Sequence, residues 1–401
     1  MEAPLLPRSG SGRARWSTRA AFWVSASVIA ICLWGSASPS MVFPLYLEQW
    51  HLDPEEIETV FAAYPFTVAA LMLVLGGLSD RIGRRRAMLL GLASLAAGSL
   101  VFALAPALPF LYAARLLQAL GTACALGAAT AALLEFEPQR RAARVSATTV
   151  VATAVGLVIA SLVSGALIEY APLPLHLTYW VGFALALLIG AAVVFLPDHR
   201  EATRAVRVPS SRVPLRSIAV GASALIGAYA VGALLLSLGA DIARDLIRTD
   251  DAALVGAVIA LFAIAIGTGG LVFGRIAAAR SALLGTVASV LGLASLLLAS
   301  STESLPLFTL SSVLAGFGFA AFVAAALGLV VASAPAEAKA VTVSRLYASG
   351  YSAQGVLALV LGAIADASLP IAIVVWMILV AAIGAVSSFL IARHSSVAPS
   401  S

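Results

Sequence analysis

Charge is scarce in this sequence. Of 401 residues, 24 are Lys or Arg and 19 are Asp or Glu, together 11%. That is too little polar surface to cover a soluble chain of this length. Cysteine and histidine are also few. Cys32 and Cys124 lie inside apolar runs, which excludes a disulfide framework and reads as two small buried hydrophobes. The four His are scattered without metal-ligand spacing, so no metal is expected. No Gly-rich loop ends in Gly-Lys-Ser/Thr, so ATP is not expected to be the energy source. No catalytic constellation, pore-helix repeat or charged ring stands out, and the sequence predicts no enzyme, no cofactor and no channel.

What the chain has instead is apolar length. It is 61% hydrophobic with mean hydropathy +1.03. Twelve runs are each long enough to cross a bilayer as a helix. They fall near 20–47, 57–79, 87–105, 109–134, 145–169, 176–196, 217–240, 252–273, 281–300, 306–333, 340–364 and 369–392. The fold class expected is an all-α, multi-pass membrane protein. An even number of spans puts both termini on one side. Basic residues cluster in alternate loops and in the termini, and 21 of the 24 fall on that same side. Arg244 and Arg248 fall on the other, and Arg115 lies within a span. The asymmetry predicts cytoplasmic termini, in the cytoplasmic membrane of a prokaryote. The net charge of +5 therefore marks topology, and no nucleic-acid partner is expected. The basic stretch Met1–Arg19 with the apolar run after it imitates a signal peptide, but that run is too long for a signal core, so it reads as a tail and a retained span.

The longest polar interruption is 197–216, with Pro197, Pro209, Pro214 and five Arg. It divides the chain into a cytoplasmic tail (1–19), a six-helix bundle (20–196), a cytoplasmic linker (197–216), a second six-helix bundle (217–392) and a tail (393–401). The halves echo each other at an offset of 194 residues. Asp80-Arg81-Ile82 falls on Gly274-Arg275-Ile276, Leu89-Leu90-Gly91 on Leu283-Leu284-Gly285, and Gly156 on Gly350. Two six-helix pseudo-repeats in parallel are what a rocking transporter with a central site needs.

The loop Gly76-Gly77-Leu78-Ser79-Asp80-Arg81-Ile82-Gly83-Arg84-Arg85-Arg86 stands between the second and third spans. Asp80 ends a helix there, where the helix dipole disfavours negative charge, so it needs a compensating partner. Gly77 permits close helix approach and Gly83 a left-handed turn. On the opposite side, Asp53-Pro54-Glu55-Glu56 opens the second span. Asp53 suits the N-cap, Pro54 the first helical position and Glu56 the reciprocal cap.

Three of these stretches resemble motifs of the major facilitator superfamily. Gly77, Leu78, Asp80, Arg81, Gly83, Arg84 and Arg85 match its signature loop between spans two and three. The resemblance implies a conformational latch built from Gly77, Asp80, Arg81, Gly83, Arg84 and Arg85, in which Asp80 meets the cytoplasmic N-terminus of span eleven when the protein faces outward. Arg115-Leu116-Leu117-Gln118-Ala119-Leu120-Gly121 resembles the fourth-span motif associated with proton-coupled members, with Ala119 in place of the first Gly. It implies a coupling role for Arg115 and Gln118. Gly156, Ala160, Ser161, Ser164 and Gly165 resemble the fifth-span motif of the twelve-span drug–proton antiporter branch. Only Gly156 and Gly165 are identical to it; Ala160, Ser161 and Ser164 replace Gly, Pro and Gly.

Arg115 lies about 9 Å inside its span at helical rise, where it either faces a cavity or snorkels to the interface. Polar and aromatic residues at mid-span, Trp34, Gln118, Tyr229, Tyr351 and Gln354, are the expected cavity lining. No Asp, Glu or Lys lies in the middle of a span; Glu48, Glu135, Glu169 and Asp241 sit near span ends. That favours a neutral, amphipathic or anionic solute over a cation. Asp80, Glu135 and His176 are the candidate proton carriers.

The function expected is a secondary active transporter, a monomer in the bilayer, exporting a drug-like or amphipathic solute with protons as the coupling ion. The alternatives are an uptake symporter or facilitator for a small neutral or anionic metabolite, and a non-transporting receptor or scaffold. Asp80→Asn is expected to impair transport more than it lowers folded yield. Unchanged transport in that variant would remove the latch role.

Overall fold

The computed structural model describes residues 17–75, 78–139, 141–197, 215–249, 251–335 and 339–397. Among them are α1 (Thr18–Trp50), α2 (Pro54–Leu75), α3 (Leu78–Ile82), α4 (Arg84–Ala103), α5 (Leu108–Phe136), α6 (Ala142–Tyr170) and α7 (Leu177–Val194). The second half holds α8 (Leu215–Ser237), α9 (Gly239–Asp245), α10 (Ala252–Phe273), α11 (Ala278–Thr302), α12 (Leu305–Ser333), α13 (Lys339–Ala367) and α14 (Leu369–Val397). Twelve of these helices are long and apolar enough to cross a membrane; α3 and α9 are short. Pro54, Pro109, Pro306 and Pro370 stand in first turns, where the missing N–H costs nothing.

Each expected span coincides with a helix, with ends displaced by up to five residues, and the seventh run is broken near its end. That run was expected to continue to residue 240, but α8 stops at Ser237 and α9 restarts at Gly239. The physical reason lies in the next residues. Asp241, Arg244 and Asp245 cannot continue into an apolar span, whereas a separate short helix buries Ile242 and Ala243 and leaves the charges at the rim.

The start of α1, the start of α8, the end of α14 and α3 lie on one face of the bundle, termed here the near face; α9 lies on the far face. Helix neighbours repeat between halves. α4 packs on α5 as α11 packs on α12, α1 on α6 as α8 on α13, and α4 on α7 as α11 on α14. The sequence echo coincides with these contacts. Gly91 faces Gly121 and Ala125 of α5, and Gly285 faces Gly318 and Phe322 of α12. Gly156 faces Ala30 of α1, and Gly350 faces Leu225 of α8.

The halves meet chiefly along two seams, α6 against α10 and α2 against α13. The first is close enough to exclude side chains. A Cβ on Gly165 would stand 2.5 Å from the Ala252 carbonyl oxygen, and one on Gly256 would overlap the Ser161 carbonyl. Lipid tails are as apolar as Leu, so helices in a membrane gain little from burying Leu; they gain from close backbone packing at small residues. The outward-facing side of α6 is apolar instead, with Val151, Val155, Ile159 and Leu162 exposed as a lipid-facing stripe.

Gly156→Ala is expected to lower stability by about 1–3 kcal/mol, because the new Cβ would strike the Ala30 backbone. Gly127→Ala, whose Cβ would meet nothing within 4 Å, should leave stability unchanged. Melting of the two purified variants in one detergent checks the difference.

Candidate functional site

Arg115 is buried, 1% exposed, seven residues into α5. It does not snorkel. Its Nη1 donates to the Ser36 carbonyl at 3.2 Å, and its Nε has no partner. Pro39 of α1 lacks the N–H that would bond the Gly35 carbonyl, which weakens the helix ladder at this turn. The guanidinium lies 4.9 Å from the Tyr64 ring centroid, 5.5 Å from that of Phe43 and 5.7 Å from that of Phe61. Three aromatic faces thus stand where a carboxylate would otherwise be. One turn along, the amide of Gln118 is buried against Gly35 and Gly98 with neither polar atom bonded.

Tyr64 carries this cluster to the second bundle. Its hydroxyl donates to Thr122 Oγ1 at 3.2 Å, and it packs with Val68, Ala119 and Tyr351 of α13. Tyr351 lies 5.1 Å from Tyr229 of α8, ring to ring, and Tyr229 lies 5.9 Å from Phe319 of α12. A continuous row, Arg115–Tyr64–Tyr351–Tyr229, therefore crosses from one half to the other. Tyr64 is the member that sequence reasoning missed. Its signal was the one used for Tyr229, an aromatic with a polar tip at mid-span. Gln354 follows Tyr351 by one turn of α13 and is 8% exposed.

Trp34 does not join this row. Its Nε1 lies beside Gly182 of α7 and near Ser99, and its ring lines a groove of about 550 Å³ on the flank of the first bundle. Ile31, Val155, Ile159 and Leu185 share that groove. Helical periodicity explains the separation: successive residues point about 100° apart, so Gly35 faces Gln118 while Trp34 faces α7.

Residues 26–344 match the family profile described as the Major Facilitator Superfamily. The chain belongs to this superfamily. Among curated relatives, it is 28% identical over 197 residues to the lincomycin resistance protein of Streptomyces lincolnensis, covering 48% of this chain and 38% of that protein. It is 28% identical over 184 residues to the putative multidrug resistance protein MdtD of Salmonella typhi, covering 45% of this chain and 38% of that one. The matched region thus spans well under half the length of either relative. The fold is shared with a variant of the nucleoside transporter NupG, at TM-score 0.71 and 15% identity over 94% of this chain and 98% of that one. It is also shared with a bacterial homologue of the human lysosomal transporter Spinster, solved inward-facing and unoccupied, at TM-score 0.73 and 16% identity over 96% and 99% of the two chains.

The superfamily's signature loop is described only in part. Gly77 and the side chain of Asp80 lie outside the described residues, as does the side chain of Lys339 at the start of α13. Arg81 is exposed. Gly83 has φ 94°, a left-handed conformation that suits glycine, and it caps α4. Arg84 pairs with Glu135 and donates to the Ala131 carbonyl at 3.0 Å, and Arg85 donates to the Leu196 carbonyl at 3.4 Å. Both tie the loop to α5 and to the end of α7, within the first bundle. His176 Nδ1 lies 2.9 Å from the Ala103 carbonyl. In α6, Gly156 packs on α1, while Ser161 and Gly165 lie against α10. Ser161 donates to the Leu157 carbonyl at 3.0 Å, and Ser164 is buried with its hydroxyl unbonded.

The far face ties the halves together. Arg244 of α9 donates to Glu48 of α1 at 2.6 Å, to Asp241 at 3.1 Å and to Asp245 at 3.2 Å. Burial pushes the Asp241 carboxyl up to about 6; Arg244 pulls the other way, and Asp245 and Glu48 push with burial. Glu169 of α6 accepts from the Ala252 N–H at 2.9 Å, placing an anion at the N-terminus of α10 across the seam. At the head of α2, Glu56 accepts from the Asp53 N–H at 3.0 Å, the reciprocal cap read from sequence.

A buried, unpaired cation contributes little to stability and often less than an apolar group of equal volume. Arg115→Met is therefore expected to hold or raise the melting temperature while abolishing transport. Paired melting and vesicle transport measurements check both halves of that statement.

Proposed function

We propose that this protein is a secondary active transporter that exports a drug-like or amphipathic solute by alternating access, with proton entry as the driving step. The observation that carries the proposal is the row Arg115–Tyr64–Tyr351–Tyr229. It runs between two bundles that meet at two seams, so rocking about those seams would open it to either face in turn. Aromatic faces with hydroxyl tips suit flat, amphipathic molecules. The row contains a guanidinium and no carboxylate, which favours a neutral or anionic solute over a simple cation. The names of the partial relatives, resistance to lincomycin and to multiple drugs, support the outward direction.

In this reading the tail (1–19), the linker (197–216) and the final tail (393–401) are cytoplasmic, and the bundles 20–196 and 217–392 are the rocking units. The near face is the cytoplasmic one. Asp80 latches it to the start of α13 when the far face opens, and Arg84 and Arg85 hold the latch on the first bundle. Arg115 and Gln118 respond to the solute or the proton, because Gln118 has both amide atoms free to bond an incoming group. The chain works as a monomer, since each half completes the other's site.

Cells expressing the protein should accumulate less lincomycin or ethidium than cells lacking it, and a protonophore should erase the difference. Accumulation that rises on expression would establish the uptake reading. Purified protein in liposomes that moves nothing across a broad panel would establish a receptor or scaffold.

A further inference from the structure

Glu58 occupies the second turn of α2, where α2 meets α13 of the other bundle. It is 5% exposed, and its Oε2 has no hydrogen-bond partner. The opposite bundle walls it in. A Cβ on Gly362 of α13 would lie 2.5 Å from Glu58 Cγ and 3.3 Å from Cδ. Only glycine at 362 leaves room for this carboxyl. Ser237, at the end of α8, lies beside it, buried, and its hydroxyl is the one neutral group positioned to donate to this carboxyl.

The surrounding charges do not neutralise it. Asp241 of α9 repels it. Arg244 spends its three nitrogens on Glu48, Asp241 and Asp245. Asp366 follows Gly362 by one turn of α13 and is exposed, and Glu55 of α2 is exposed at the rim. Asp241 is thus the charge that acts on Glu58, and the guanidinium nearest that carboxylate is already engaged. An ionised carboxylate with no cation beside it is costly in a dry contact even where one hydroxyl faces it, whereas a carboxylic acid is not. Separating α2 from α13 would expose Glu58 to water and remove that cost.

We propose that Glu58 is a proton-binding site that gates the far face: the seam between α2 and α13 closes on the carboxylic acid, and its opening releases the proton to water as the carboxylate forms. The proposal rests on the alternating-access reading but not on any particular solute. It makes the closed far face a proton-stabilised state, by as much as the two states differ in proton affinity.

The test needs no transported compound. Labels are placed at Tyr170→Cys, at the far end of α6, and at Ala367→Cys, at the far end of α13, in the full chain with Cys32 and Cys124 replaced by Ala. Tyr170 is 76% exposed and Ala367 is exposed. Label-to-label distances are then measured in lipid nanodiscs from pH 5 to pH 8.5. The short distance should dominate at pH 5, and a longer one should gain several-fold in population by pH 8.5. Glu58→Gln should hold the short distance throughout, and Glu58→Asp should keep the response. Asp241→Asn should keep it with a midpoint at lower pH, because a neighbouring negative charge holds the proton on Glu58. A wild-type distribution that ignores pH, or a Glu58→Gln variant that responds like wild type, overturns the proposal. Transport of lincomycin or ethidium bears on the export reading alone, so the two fail separately.

Discussion

Helix backbones in this protein touch where side chains are smallest, and the rest of the arrangement depends on that contact. In a bilayer there is no water to drive Leu against Leu, so close van der Waals approach and satisfied polar groups hold helices together. Gly156 on Ala30 joins α6 to α1; Gly165 and Gly256 join α6 to α10. The second contact runs between bundles. It is tight but carries few directional bonds, so it suits a seam about which two rigid halves turn.

Polar groups are distributed by a different rule. Those that join the bundles lie mostly at the far face: Glu48 with Arg244, Glu169 at the head of α10, and Glu58 beneath Gly362. Those that cross the interior form a row of aromatics ending in Arg115. Ion pairs at a wet rim form and break cheaply. Buried polar atoms without partners, as at Gln118 and Glu58, are costly wherever water is excluded, which is why the proposed solute and proton sites fall there.

Much of the fold was legible from period and length. Each apolar run is long enough to span, and all twelve expected spans end within five residues of the observed helices. The break after the seventh was not legible, because apolar length alone does not register the turn at Leu238 that starts α9. The site was less legible. Gln118, Tyr229 and Tyr351, chosen by depth, lie on or beside the interior row, whereas Trp34, chosen the same way, lies on the flank, because depth alone does not say which neighbour a residue faces. Glu58 was hidden in an acidic stretch that reads as capping. Glu55 is exposed at the rim and Glu56 caps, but Glu58, two residues on, rotates inward.

The sequence by itself determined that this chain spans a membrane twelve times, that its halves repeat, and that its loop at 76–86 belongs to the major facilitator pattern. Those properties follow from hydropathy, spacing and local residue type, which are one-dimensional. Only the tertiary structure decided which polar residues lose water. Whether Arg115 reaches the interface or three aromatic rings, and whether Glu58 meets solvent or Gly362, depends on which helix lies opposite. That is set by the packing of helices from about 50 to about 300 residues apart in sequence, where no local signal reaches.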